Sequence, residues 1–117
     1  MPTMGTLESR FADMIWRNEP MASRDLIKMA EKELGWKSTT SYTVLKRLCQ
    51  RGIFQLQDKT VTSLISREDF YGMRSEQFVR ETFGGSLPAF VAAFGQRNKL
   101  SEEEAEELKR LIDGMRR

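Results

Sequence analysis

Histidine is missing altogether from the 117 residues, and cysteine occurs once, as Cys49. Without imidazole the commonest general base near neutral pH is gone. With one thiol and no imidazole, the nitrogen and sulfur ligands of a zinc site are lacking too. A lone cysteine forms no internal disulfide, and nothing points to an oxidising compartment. There is no glycine-rich phosphate loop, and no apolar run approaches the ~20 residues that cross a bilayer. The opening Met1-Pro2-Thr3-Met4-Gly5-Thr6, in which Met1 and Met4 are both candidate starts, lacks the basic and apolar regions of a secretory signal. These absences lead us to expect a cytoplasmic protein that is not an enzyme, with no cofactor, no metal and no small-molecule substrate. The acids Glu102, Glu103, Glu104, Glu106 and Glu107 read as a solvated helix face, because one helix does not converge oxygens on a hard cation.

What the chain does have is charge and apolar periodicity. Hydrophobic residues make up 39% and charged ones 31%, enough for a core in one soluble domain or a small domain with an oligomerisation arm. The net charge of +2 is uneven: residues 1–66 carry ten basic side chains against seven acidic, and residues 67–117 nine against ten. The basic excess concentrates between Trp36 and Gly52, a stretch that holds Lys37, Lys46, Arg47 and Arg51 and no acidic residue. This stretch reads as one helix. Ser38 or Thr39 can cap its start, Gly52 can end it in the left-handed conformation, and Val44, Leu45 and Leu48 share one side. Thr39, Thr40, Tyr42, Thr43, Lys46 and Arg47 fall mostly on the others. Short hydroxyls early and long cations later suit a helix lying in the major groove. A solvated basic helix is the plainer alternative, and its neighbours decide between the two.

Before it, Leu7, Phe11, Met14 and Ile15 make a core-facing stripe on a helix over Thr6–Arg17, with Thr6 as cap and Glu8 favourable at its start. Trp16 lies beside that stripe as a core residue, and Asn18-Glu19-Pro20 breaks the helix. A second helix over Arg24–Leu34 is capped by Ser23, buries Leu26, Ile27, Ala30 and Leu34, and stops at Gly35. The order is helix–turn–helix with the basic helix second. After Gly52, strand formers Ile53, Phe54, Leu56, Val61, Leu64 and Ile65 flank a turn at Asp58-Lys59, forming a wing. Ser66 then opens a helix to Phe83, Gly84-Gly85 stops it, Ser86 caps a fifth helix with Pro88 in its first turn, and Ser101 caps a sixth. In the sixth, acids precede Lys109, Arg110, Arg116 and Arg117, the order a helix dipole prefers. The expected fold is mostly α (α+β): a winged helix-turn-helix domain over 1–66 followed by a helical dimerisation region over 67–117. The rear stripes need a partner, either a second copy in a two-fold dimer, which we favour, or the front block.

In these residues the chain resembles the penicillinase and methicillin-resistance repressor family over nearly its full length. The resemblance rests on Leu7, Glu8, Met14, Ile15 and Trp16, on Trp36, Thr40, Thr43, Leu45, Arg47, Leu48 and Gly52, and on Phe78, Phe83, Gly84, Gly85 and the segment from Leu100 to Ile112. It implies a dimeric winged-helix repressor on a palindromic operator, dimerised through its rear helices and induced by proteolysis there under a membrane-bound sensor metalloprotease. The family's scissile Asn-Phe pair falls at Ala93-Phe94, keeping the Phe but not the Asn. A copper-responsive branch carries a C-terminal cysteine cluster that this tail lacks. The wing is shorter than in the relatives, with Lys59 its one cation.

Candidate DNA contacts are Thr39, Thr40, Tyr42, Thr43, Lys46, Arg47 and Lys59. Arginine pairs with guanine through two hydrogen bonds and lysine suits phosphate. Candidate dimer contacts are Phe83, Leu87, Phe90, Val91, Phe94, Leu108, Leu111 and Ile112. Cys49 reads as a packed residue at the core edge; a redox switch activated by Lys46 and Arg47 is the alternative. Two functions compete: a homodimeric repressor of double-stranded operator DNA, and a winged-helix module for protein–protein contact with reduced DNA affinity.

Overall fold

The computed structural model describes residues 5–116, so the candidate starts Met1 and Met4 and the last cation, Arg117, lie outside the described residues. Helix α1 (Thr6–Asn18) turns Phe11, Ala12, Met14 and Ile15 inward, all essentially without solvent exposure. Helix α2 (Ser23–Leu34) buries Leu26, Ile27 and Ala30 and ends at Gly35, whose φ of 69° is the left-handed conformation that suits glycine. Helix α3 (Ser38–Gln50) buries Ser41, Val44, Leu45 and Leu48. These spacings of three and four residues are what put one side of a helix against a core.

Strands β2 (Phe54–Gln57) and β3 (Thr60–Ser63) pair antiparallel, with Phe54 opposite Ser63 and Leu56 opposite Val61. Their turn, Asp58-Lys59, has φ of 51° and 62° at its two residues. Two successive positive φ values are what the right-handed twist of a two-residue hairpin demands, met here without glycine. A third strand, β1 (Met21–Ala22), pairs with β3 on its other edge, so the sheet order is β1-β3-β2. Sequence periodicity gives no hint of a two-residue strand; it exists because β3 offers a free edge where the chain passes from α1 to α2.

Trp16 fastens these pieces together. Its indole N–H donates to the Ile65 carbonyl at 3.0 Å, and its ring packs on Phe54 and Phe70 at centroid distances of 5.1 and 5.7 Å. Phe70 belongs to helix α4 (Arg67–Phe83) and is completely buried. The Glu19 carboxylate accepts from the Ser63 backbone N–H at 2.7 Å and from its hydroxyl, tying the end of α1 to the end of β3.

The chain forms two compact units, Met1–Ser75 and Glu76–Arg117, which part inside α4. The second unit holds the rest of α4, α5 (Leu87–Gly95) and α6 (Glu102–Met115). Its helix ends follow local rules. The Ser86 hydroxyl accepts from the Ala89 N–H and the Ser101 hydroxyl from the Glu104 N–H, each at 3.1 Å. Gly84 and Gly85 both take positive φ, and the Gly85 N–H reaches back to the Val79 carbonyl at 3.0 Å, which closes the end of α4.

Several sequence expectations need correction. The N-cap positions of the first three helices belong to Gly5, Ala22 and Lys37, and none has a side-chain cap. Thr6, Ser23 and Ser38 fall one residue inside, and Thr39 two. For Ser23 the reason is tertiary: its N–H donates to the Lys59 carbonyl at 2.9 Å, so the strand pairing sets where α2 begins. Leu7, assigned to the core stripe, is 51% exposed, because the apolar stripe of α1 that meets the core starts only at Phe11. Leu34 is half-buried.

Candidate nucleic-acid interface

The face of α3 opposite its four buried residues carries Thr39, Thr40, Tyr42, Thr43, Lys46 and Arg47, all exposed. Every side chain proposed for base or phosphate contact on this helix is therefore presented to solvent from one rigid element. The Thr43 hydroxyl donates to the Thr39 carbonyl at 2.8 Å, leaving its methyl and acceptor lone pairs outward. Arg47 has a protein partner: its Nη1 lies 3.3 Å from Oε1 of Glu8 on α1, and Arg51 Nη1 lies 3.8 Å from Oε2 of the same carboxylate. Glu8 thus does more than favour the start of α1.

The wing turn brings a second group together. Lys59 and Tyr42 line one cleft with Arg24 in the first turn of α2, along with Ser23, Asp58 and Thr60. Arg24 was not among the residues singled out from sequence. Only the pairing of Ala22 with Thr60 carries the start of α2 to the wing, so a local reading had no signal for it. A guanidinium, an ammonium and a phenol beside a helix N-terminus suit a phosphate; Asp58 opposes it.

Cys49 is half-buried, and burial pushes its thiol pKa up. The neighbouring cations do not offset this, so the thiolate a redox switch needs is disfavoured and the packed reading stands. Among the described residues no cluster of three or more Cys, Asp or Glu could hold a metal ion, and no helix is long and apolar enough to cross a membrane.

The second unit has its own concentration of apolar surface. Phe78, Phe83 and Phe90 pack edge to face, with centroids 5.5–5.9 Å apart. Leu87, Val91, Phe94, Leu108, Leu111 and Ile112 are exposed, and no residue of α5 or α6 is buried. Phe90, Val91, Phe94, Leu108 and Leu111 line one groove, joined by Leu100, which was not among the candidate dimer contacts. Ala93 and Phe94 both lie exposed within α5.

A family model described as penicillinase repressor matches residues 4–114. The chain belongs to the penicillinase repressor family. It is 25% identical over 117 residues to the penicillinase repressor of Bacillus licheniformis, covering 97% of this chain and 91% of that one. It is 24% identical over 114 residues to the methicillin resistance regulatory protein MecI of Staphylococcus aureus (strain Mu50 / ATCC 700699), covering 94% and 93%. To the protein of that name in Mammaliicoccus sciuri it is 23% identical over the same length and shares. For this member of the penicillinase repressor family, the match runs through both compact units, so the helix–turn–helix and the rear helices fall under one likeness.

Proposed function

We propose that this chain is a sequence-specific, DNA-binding transcriptional repressor that acts as a homodimer on a palindromic operator. The observation that carries the proposal is the outward face of α3, polar and built from a helix with no acidic residue of its own, opposite a face sealed into the core. Thr40, Thr43 and Arg47 read base edges, Arg47 by hydrogen bonds to guanine, while Thr39, Tyr42 and Lys46 add contacts along the groove. Lys59, with Arg24 beside it, holds the backbone. The domain boundary of function lies near residue 66, with DNA binding before it and dimerisation after.

The apolar groove of α5 and α6 supports dimerisation: Phe90, Val91, Phe94, Leu108 and Leu111 leave too much apolar surface in water for a short helical pair. Phe83, Leu87 and Ile112 complete that surface. Induction by a membrane-bound sensor protease cutting at Ala93-Phe94 inactivates the dimer, and the bond's position inside α5 requires that helix to open first. The competing reading, a protein-contact module, draws on the short wing, whose turn supplies Lys59 alone.

A salt titration of duplex binding separates the two. Operator binding weakens steeply with salt, in proportion to the phosphates neutralised, whereas association through the rear groove does not. Fragments selected by the protein from genomic DNA carry a two-fold symmetric site if the repressor reading holds. Salt-independent binding, or no selection, overturns it.

A further inference from the structure

We infer that Glu8 is a specificity-determining positioning residue for Arg47, acting from α1 on the outward face of α3. The inference rests on the DNA-binding reading above. The Arg47 side chain keeps 46% of its exposure and Glu8 only 21%, so the carboxylate is the sheltered anchor and the guanidinium the reaching arm. Oε1 of Glu8 takes Nη1 of Arg47 at 3.3 Å. Oε2 is shielded from solvent and has no hydrogen-bond partner among the described residues; Arg51 approaches it only to 3.8 Å. A shielded carboxylate oxygen without a hydrogen bond is costly, and the two guanidinium groups facing it offset that cost.

Two consequences follow for a helix that reads DNA. A free arginine side chain loses much rotamer freedom when it meets a base, and one already held by a carboxylate loses less. Its planar fork has five N–H donors, of which the Glu8 bond uses one, so donors for guanine remain. The same carboxylate also cancels part of the charge that Arg47 and Arg51 would offer to any phosphate. Glu8 therefore favours the correct base and disfavours indiscriminate backbone binding. An exposed ion pair that only braces α1 against α3 would contribute little and would leave discrimination untouched.

The test uses the full chain, a duplex it selects from random-sequence DNA, and a scrambled duplex of the same composition. Glu8→Ala is expected to lower the ratio of selected to scrambled affinity by roughly tenfold, with scrambled binding equal or tighter. Glu8→Gln, which keeps an oxygen acceptor and removes the charge, is expected to recover most of the selected affinity. It should also steepen the salt dependence on the scrambled duplex by about one phosphate. Glu8→Gln carries the test alone if Glu8→Ala does not fold, and an unchanged salt dependence in it overturns the proposal. So does an unchanged affinity ratio in Glu8→Ala accompanied by a lower melting temperature. A wild-type chain that binds its selected duplex and loses it on Arg47→Ala, but not on Glu8→Ala, overturns this inference alone. A wild-type chain with no salt-dependent duplex binding overturns the DNA reading with it.

Discussion

The two compact units are built on opposite terms. In the first, helices and sheet close on a core in which Phe11, Ile15, Leu26, Leu48, Phe54, Val61 and Phe70 lose all exposure. In the second, α5 and α6 bury no residue, and Phe94, Leu111 and Met115 stay 51%, 57% and 68% exposed. One unit closes most of its apolar surface into a core, with Leu7 and Leu64 among the exceptions; the other leaves its helix stripes open. A segment whose stripes are unsatisfied within one chain is suited to being completed by another, which is why association is assigned to the rear and recognition to the front.

Four experiments put that contrast at risk. The largest effect is expected at Phe70, which belongs by sequence to the rear segment and by packing to the front core. Phe70→Ala should cost about 3–5 kcal/mol in urea denaturation, the usual loss for a buried aromatic. A loss under about 1 kcal/mol would mean that the start of α4 does not complete that core.

The next concerns the open groove. Leu108→Ala should weaken dimerisation by roughly 1–3 kcal/mol, read by sedimentation across a concentration series, while barely changing the melting of the front unit. Phe90→Ala should act in the same direction. A wild-type chain that sediments as a monomer removes the dimer and the contrast built on it.

Arg47→Ala tests the front unit as a reader. It should lose about 1–3 kcal/mol of binding to a selected duplex and leave the dimer intact. Equal affinity in the variant would leave α3 a solvated basic helix.

The smallest effect is chemical. Cys49 should react with a thiol reagent at neutral pH more slowly in the folded protein than in urea, because burial holds the thiol protonated. The folded pKa lies above the unfolded one, so the contribution to stability is complete below the unfolded thiol's pKa and is lost as pH climbs through the folded value. Fast labelling at neutral pH would restore the redox alternative.

The rear helices were legible almost to the residue, and the front ones less so, for one reason. Ser66, Ser86 and Ser101 cap their helices through hydroxyls that accept a bond from three residues on, a purely local arrangement. The Asp58-Lys59 turn and the left-handed Gly52 are local in the same sense. At Thr6, Ser23 and Ser38 the residue type promised a cap and the chain path refused it. Trp16 read correctly as core, but its hydrogen bond to Ile65 spans 49 positions and no window contains both. Of the candidate interface, the exposed face of α3 followed from the spacing of Val44, Leu45 and Leu48. Arg24 beside Lys59 and Glu8 beside Arg47 did not, since each pair is made by elements far apart in sequence.

Residue order alone determined the existence of the helices, the hairpin, the basic stretch and the absence of imidazole chemistry, because periodicity, turn preference and side-chain type act within a few residues. Tertiary structure decided the third strand, the full burial of Phe70, the thiol's protonation and the carboxylate against Arg47. Those depend on which distant surfaces meet, and only the closing of the core brings them together.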